Sequence, residues 1–254
     1  MAGRRTYHAR ACVLDRTKLG ETDLILTLLG SNGAQLRAVA KGARKPGGKL
    51  AGKVQLFCEC DLLLACGKNL DVVAEASLVD AHASLRGELE RVSAASCVCE
   101  VARLCCFEDA EDPFLYAITS RALTACEQAA DRAHLDLTCA AFAWKVLAHA
   151  GWRPELDGCC ACGEADVSRF SPFAGGLLCE SCAKDIAGAE PVSPSQVSWL
   201  RALLSGTFDE LLAAPVDEQT SVWLLTCAHR WCAAHLDARL RAMEFTLSCR
   251  ARLG

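Results

Sequence analysis

The first 80 residues alternate short apolar runs with turn-forming segments. The runs have the alternating or continuous apolar character of β-strands, and segments rich in Gly, Lys and Asn separate them. They read HARACVLD, LILTLLG, AQLRAVAKGA, VQLFCECDLLLAC and LDVVAEASLVDA. Five strands without a long helical pattern predict a small closed β-barrel. An SH3-like barrel would give similar signals, so the pattern leaves the strand topology open.

The apolar spacing becomes helical after the barrel segment. DPFLYAITSRALTACEQAA begins with Asp112 as a cap and Pro113 in the first turn, and HLDLTCAAFAWKVLAHAG ends at Gly151. SPSQVSWLRALLSG opens with Ser193 and has Gln196 three residues later, which is the pattern of a capping box. Three further segments repeat apolar residues at helical spacing: LRGELERVSAASCVCEVARLCC, DEQTSVWLLTCAHRWCAAHL and DARLRAMEFTL.

These patterns predict an α+β protein of more than one domain. A barrel domain is expected over residues 1–80 and an all-α helical domain over 81–254. A cysteine-rich module at about 157–184 is inserted between two helices of the second domain. No apolar run reaches the length of a membrane span, and the N-terminus lacks the apolar stretch of a signal peptide. We therefore expect no membrane association and a cytoplasmic protein whose 18 cysteines are reduced.

Charge is divided unevenly along the chain. The formal net charge is −4, which alone argues against a nucleic-acid partner. Residues 1–53, however, carry eleven Lys and Arg against three acids, a net of +8, and the remainder carries a net of −12.

The segment RAVAKGARKPGGKLAGK has no acid and four of its residues are glycine. Its cations predict contacts with phosphates, and the residues concerned are Arg37, Lys41, Arg44, Lys45, Lys49 and Lys53. The alternative interpretation is that this segment is a solvated turn that binds no ligand.

Two Cys-x-x-Cys pairs predict a metal site in the cysteine-rich module. They are Cys159 with Cys162 and Cys179 with Cys182, and 16 residues separate the pairs. Each pair can place two thiolates on one tight turn, and two such turns complete the tetrahedron of a structural zinc ion. Cys160 does not have this spacing and is expected beside the site as a small side chain. Four protein ligands would leave no open position for water or substrate.

The sequence gives little support to an enzyme. The six histidines are dispersed, and no His-Glu-x-x-His, P-loop, Gly-x-Ser-x-Gly or Gly-x-Gly-x-x-Gly motif is present. A zinc deaminase would need an open metal position and a glutamate acting on bound water. We therefore expect no catalytic residues. The main alternative to a DNA-binding protein is a zinc-containing barrel protein that binds RNA or the ribosome.

Three features together resemble the RecO family of bacterial recombination mediators. They are KLGETDLILTLLGSNGAQLRAVAKGARK, the helical region that follows, and the inserted CxxC…GGLLCxxC. The resemblance covers essentially the full length, and it implies an OB-fold for the barrel. It further implies a protein that binds single- and double-stranded DNA, anneals complementary strands and, with RecR, helps to load RecA onto strands coated by single-strand-binding protein.

The resemblance also implies a docking place for the C-terminal tail of single-strand-binding protein. An apolar groove of the helical domain, with a basic residue at its rim, is expected to receive it. Arg121 and Arg132 are the candidates for that basic residue. Neither the oligomeric state, nor a strand polarity preference, nor the surface that contacts RecR follows from the sequence.

Overall fold

A computed structural model describes residues 5–251 of the chain. The chain forms two compact units, one ending at Glu127 and the other beginning at Gln128. The first unit contains the barrel together with α1 (Leu89–Cys105) and most of α2 (Pro113–Gln128). The domain boundary expected near residue 80 follows the change from strands to helices and stays a prediction. Within residues 5–251, no helix is both long and apolar enough to cross a membrane.

The barrel has five strands and is closed. Its order is β1-β2-β3-β5-β4, and β4 pairs with β1 to complete the circle. The pair β3–β5 is parallel and the other pairs are antiparallel. This is the five-stranded OB-like arrangement that the family resemblance implied, and it settles the topology that the sequence pattern left open. The strands are β1 (Thr6–Leu19), β2 (Asp23–Gly30), β3 (Gln35–Ala40), β4 (Glu59–Ala65) and β5 (Asp71–Asp80).

A bulge in β1 changes which of its side chains face the barrel interior. Val13 pairs with Leu28 and Asp15 with Thr27, so Leu14 is the extra residue. Before the bulge, odd-numbered residues such as Val13 pack in the core. After it, even-numbered residues lie opposite buried leucines of β2, with Arg16 opposite Leu26. Since a bulge inserts one residue into an alternating strand, it exchanges the two faces from that point on.

The predicted fourth strand is too long at its start. The segment VQLF does not belong to β4, which begins only at Glu59. Phe57 has a φ of 74° and is almost fully buried, so the backbone turns at this residue while its ring packs in the interior. A left-handed backbone cannot continue a strand. The apolar pattern of Val54 to Cys58 therefore reflects burial within a turn.

The helices α1 and α2 pack against the barrel within the first unit. The backbone N–H of Gln35 donates to the carbonyl of Phe107, at 2.9 Å. The hydroxyl of Tyr116 donates to the Glu59 carboxylate, at 2.8 Å. Asp112 accepts from the Phe114 N–H at the predicted start of α2. A short 3₁₀ helix over Ala83–Arg86 connects the last strand to α1.

A buried histidine joins the barrel to α2. The side chain of His82 is 1% exposed and its backbone is left-handed. Nδ1 lies 2.8 Å from Glu127 Oε2, and Nε2 lies 3.5 Å from Glu59 Oε1. Burial opposes the charged ring, but the contacts with Glu59 and Glu127 outweigh it and raise the pKa of His82. Hydrogen bonds from His82, Ser120 and Tyr116 overcome the burial of Glu59 and hold its pKa at about 2.

The second unit is built around α3, which is buried on nearly all sides. Trp144 of α3 contacts Trp231 of α7, with ring centroids 4.9 Å apart. The capping box of Ser193 and Gln196 is present at the start of α5, as the sequence predicts. The short α6 was not predicted, although Thr207 and Glu210 also form a capping box there. The helices are α3 (Arg132–His149), α4 (Glu180–Ala183), α5 (Pro194–Ser205), α6 (Phe208–Ala213), α7 (Glu218–His235) and α8 (Arg241–Ala251).

We predict that the His82 contacts stabilise the first unit in a pH-dependent way. The substitution His82→Asn keeps a residue that tolerates a left-handed backbone but leaves two carboxylates without their cation, at a cost of about 3 kcal/mol. Because the pKa of His82 is raised on folding, its contribution is complete below about pH 6.5 and is lost as the pH rises through the folded-state value. Urea unfolding of both proteins should show a larger difference at about pH 6 than at about pH 9. An equal difference at both pH values would contradict the prediction.

Candidate metal centre and nucleic-acid interface

The four cysteines of the two Cys-x-x-Cys pairs lie on a small module between α3 and α5. The module has its own three-stranded sheet in the order β7-β6-β8, together with the four-residue α4. The first pair is on the turn before β6, and the second is at the start of α4. The strands are β6 (Arg169–Ser171), β7 (Gly176–Leu178) and β8 (Glu190–Pro191).

Each pair sits on a tight turn. The N–H of Gly163 donates to the carbonyl of Cys159, at 2.8 Å, and Gly163 has a φ of 79°. In the second pair, the backbone N–H of Cys182 lies 3.4 Å from the Cys179 sulfur. Such turns direct both sulfur atoms of a pair to the same point, which explains the two-residue spacing.

A glycine lets the first turn approach the second pair. Gly176 pairs with Glu155 in a short bridge, and the N–H of Leu177 donates to the Glu155 carbonyl at 2.9 Å. A Cβ on Gly176 would lie 2.2 Å from that carbonyl oxygen. Packing therefore explains the second glycine of GGLLC, because a side chain at position 176 would force the segment before Cys159 away from β7.

The four sulfurs have the spacing of a tetrahedral metal site. The Sγ atoms of Cys159, Cys162, Cys179 and Cys182 all lie within 4.8 Å of one another. Cys162 and Cys179 Sγ are 3.8 Å apart. A tetrahedron with zinc–sulfur bonds of about 2.3 Å has an edge of about 3.8 Å. The residues present therefore fit a metal ion with four thiolate ligands.

The electrostatics of the cluster favour a bound cation. Backbone N–H groups of Cys179, Ala161 and Cys162 surround the Cys159 sulfur and lower the pKa of this thiol to about 6. Hydrogen bonds from Cys182 to the other three sulfurs raise the pKa of Cys182 to about 12. Thiolates this close repel one another, so all four lose their protons together only when a cation compensates their charge.

Cys160 lies outside the group of four. Its thiol points to the carbonyl of Ala174, at 3.4 Å, and its backbone N–H donates to the carbonyl of Leu177. Burial raises the pKa of Cys160, the opposite direction from Cys159 beside it. Its side chain packs at the edge of the module's small apolar cluster.

The basic loop, residues 41–53, is fixed to the turn between β1 and β2. Asp23 Oδ1 accepts from the Gly42 N–H at 2.8 Å, and this contact lowers the pKa of Asp23. The N–H of Arg44 donates to the Thr22 carbonyl, at 2.9 Å. The guanidinium of Arg44 reaches the carbonyls of Gly20 and Glu21, at 3.1 and 2.9 Å. The loop therefore has a defined path.

The six cations predicted to contact phosphates are all exposed, but they have different surroundings. Arg37 lies on β3 and the others follow in the basic loop. Lys53 Nζ donates to the carbonyl of Ala76 at 2.8 Å, so part of its donor capacity is used within the barrel. Arg44 and Lys45 line a cavity of about 540 Å³ at the end of the barrel. The other four do not line this cavity: Arg37, Lys41, Lys49 and Lys53.

Two cations of β1 join the same cavity, and sequence reasoning missed them. Arg16 and Lys18 follow the bulge and line the cavity beside Arg44 and Lys45. A simple alternation continued from the core residue Val13 would place Asp15 and Thr17 on this face. The apolar run Ala11–Leu14 gives no signal of the bulge, because all four residues are buried, Ala11 and Val13 in the barrel core and Cys12 and Leu14 outside that cluster.

The two arginines considered for a docking groove are on different units. Arg121 is on α2 of the first unit. Arg132 lies at the start of α3 and lines a cavity of about 430 Å³ on the second unit. Val222 of α7 and Leu247 of α8 provide apolar walls. Asp136, deeper in the cavity, is held by Arg250 at 2.8 Å. Arg132 therefore has the apolar surroundings that the expectation requires.

Comparison with known protein families gives two matches that together span most of the chain. Residues 1–82 match the family described as "Recombination protein O N terminal". Residues 86–244 match the family described as "Recombination protein O C terminal". The first match covers the barrel, and the second covers α1 to α7, the start of α8 and the inserted cysteine module.

Three curated relatives are similar over most of their own length, and each is called "DNA repair protein RecO". The relative from Roseiflexus sp. (strain RS-1) is 39% identical over 207 residues, which are 79% of this chain and 71% of the relative. The relative from Bifidobacterium adolescentis is 33% identical over 94% of this chain and 98% of its own. The relative from Desulforudis audaxviator is 31% identical over 95% of this chain and 96% of its own.

Proposed function

Since the chain belongs to the recombination protein O (RecO) family, we propose that it is a DNA repair and recombination mediator that binds DNA and catalyses no reaction. The observation that carries the proposal is the cavity at the barrel end, which four cations line: Arg16, Lys18, Arg44 and Lys45. Cations on a rigid barrel neutralise backbone phosphates and release counterions, and this drives association with either single or double strands.

Annealing of complementary strands follows from the same contacts. Phosphate contacts carry no sequence information and leave the base edges of a strand accessible. A surface that neutralises two backbones lowers their mutual repulsion, so that bases can pair without an ATP-driven step. Acting with RecR, the protein would in this way help RecA to replace single-strand-binding protein. Its place in the cell would then be the cytoplasm, at the nucleoid.

The metal ion of the cysteine module is proposed to be one structural zinc. Cys159, Cys162, Cys179 and Cys182 would hold it, and zinc supplies a cross-link between the two turns of the module. With four thiolates the coordination sphere is closed, so the chain's own contribution is to shape the module and not to activate water. This is the reason why the proposal assigns no catalytic role to Glu164 or Glu180 beside the cysteines.

The Arg132 cavity is proposed to receive the C-terminal tail of single-strand-binding protein. Val222 and Leu247 offer apolar contacts, and Arg132, which also lines the cavity, offers a cation for a terminal carboxylate. Two acids line the cavity, Asp136 and Glu218. Arg250 neutralises Asp136 through a nearly fully buried ion pair, and Glu218 is exposed to solvent, which screens its charge. Arg121 does not line this cavity and becomes the weaker of the two candidates.

We predict that changing Lys41, Arg44, Lys45 and Lys49 to alanine weakens single-strand binding equally for all sequences. Phosphates carry no base information, and the slope of log K against log salt should fall by about 0.7 for each phosphate that is no longer neutralised. Fluorescence anisotropy at several salt concentrations measures both quantities. Lys184→Ala, an exposed lysine on the second unit, is the control and should change neither. Unchanged affinity and slope in the fourfold variant would favour the RNA- or ribosome-binding alternative.

We predict one zinc ion per chain, measured by mass spectrometry of the purified protein. Serine at Cys159, Cys162, Cys179 or Cys182 should remove the ion and lower the free energy of unfolding by at least about 3 kcal/mol, because metal binding contributes directly to folding. Cys160→Ser is the matched control, one position from a proposed ligand, and should keep the ion. Loss of zinc from the Cys160 variant with retention in the Cys159 variant would reverse the ligand assignment.

We predict that Arg132→Ala weakens binding of a peptide with the tail sequence of single-strand-binding protein by about tenfold, the loss expected for a charge-assisted hydrogen bond. Arg121→Ala should leave the affinity unchanged. Titration calorimetry with the full chain measures both. If the Arg121 variant alone loses affinity, the tail binds on the first unit and the cavity beside Arg132 has another role.

A further inference from the structure

An arginine occupies a position on the interior side of the barrel sheet. Arg16 lies directly opposite Leu26 of β2, and Lys18 lies opposite Leu24. Both leucines are buried in the barrel core. Since directly paired residues of an antiparallel ladder point to the same face, Arg16 and Lys18 follow the apolar interior to its open end.

The guanidinium of Arg16 is only partly satisfied. Nη1 donates to Gln55 Oε1 at 2.6 Å. Nε is buried, and within residues 5–251 it has no hydrogen-bond partner. The carboxylate of Asp15 accepts from the backbone N–H of Arg16, not from its side chain. Burial also lowers the pKa of Arg16. A buried donor without a partner is unfavourable, and an anion at this place would satisfy it.

The cavity beside Arg16 combines cations with an apolar surface. Lys18, Arg44 and Lys45 line it together with Leu24 and Leu56, and its volume is about 540 Å³. Among the described residues that line it, none carries a carboxylate. A ligand for this cavity therefore needs a negative group and a group that can pack on aliphatic side chains close together. One nucleotide of a strand has both, and its size suits a cavity of this volume.

We propose that the Arg16 pocket takes one nucleotide of a single strand, with its phosphate on Arg16 and its base against Leu24 and Leu56. This proposal rests on the DNA-binding function above and adds a base contact to it. A base inside a duplex is paired and stacked and cannot enter without being extruded, which is unfavourable by a few kcal/mol. The pocket therefore gives the barrel a preference for unpaired strands that phosphate contacts alone do not provide.

The first test compares two ligands on the unchanged full-length protein. One is a thymidine oligonucleotide of about 15 residues, and the other is an abasic strand of the same length with the same number of phosphates. Anisotropy should show the abasic strand binding about five- to tenfold more weakly, with the same salt slope, because it keeps every phosphate and, of the bases that it lacks, the one in the pocket is the base proposed to pack against the protein. Equal affinities would overturn the pocket while leaving DNA binding intact. Failure to bind either strand would instead refute the DNA-binding function.

The second test uses a matched pair of variants on β1. Arg16→Gln should weaken binding of the thymidine strand and lower the salt slope by about 0.7, the effect of one phosphate contact. Arg10→Gln is the control, because Arg10 lies before the bulge and pairs with Asp61 at 2.9 Å on the outer face. The Arg10→Gln variant should keep the affinity and the salt slope of the unchanged protein. Equal effects of the two substitutions would show that only total charge matters and would overturn the role of Arg16.

Discussion

One extra residue in β1 determines what the open end of the barrel presents to solvent. The strand must pair with β4 in its first half and with β2 in its second half, and it does so over 14 residues. Without the bulge at Leu14, the acidic Asp15 would face the cavity and Arg16 would face solvent. With it, the interior face changes from apolar side chains to cations within three residues of Val13. The side chains that β1 directs to the interior and the charge of the cavity thus depend on the same irregularity.

Backbone contacts hold the cations of the basic loop close to one another, and no carboxylate among the described residues that line the cavity lies between them. Asp23 fixes the loop through the backbone N–H of Gly42, outside the cavity lining. Arg44 is held by main-chain carbonyls, which orient its guanidinium without neutralising it. The overall net charge of −4 therefore says little about this surface. Local charge within a screening length of about 10 Å determines the attraction of phosphates.

Features that depend on local spacing could be predicted from the sequence, and features that depend on strand pairing could not. The two cysteine pairs, the capping box at Ser193 and the start of α2 at Pro113 each involve residues within a few positions of one another. The left-handed Phe57 and the Arg16 position depend on which strands become neighbours. His82 belongs to the second class, because its partners Glu59 and Glu127 are distant in the chain.

The small core of the cysteine module explains why the zinc site proposed above would have no open position. Its own buried cluster consists of Cys159, Leu178 and Cys179, so it has little apolar surface with which to fold. Segments of this size need a cross-link in place of a core. A metal that replaces a core must have all its positions filled by protein, since an exchangeable ligand would weaken the cross-link. Under the proposed function, DNA binding is left to the barrel, whose core is large enough to hold its cations in place without a metal.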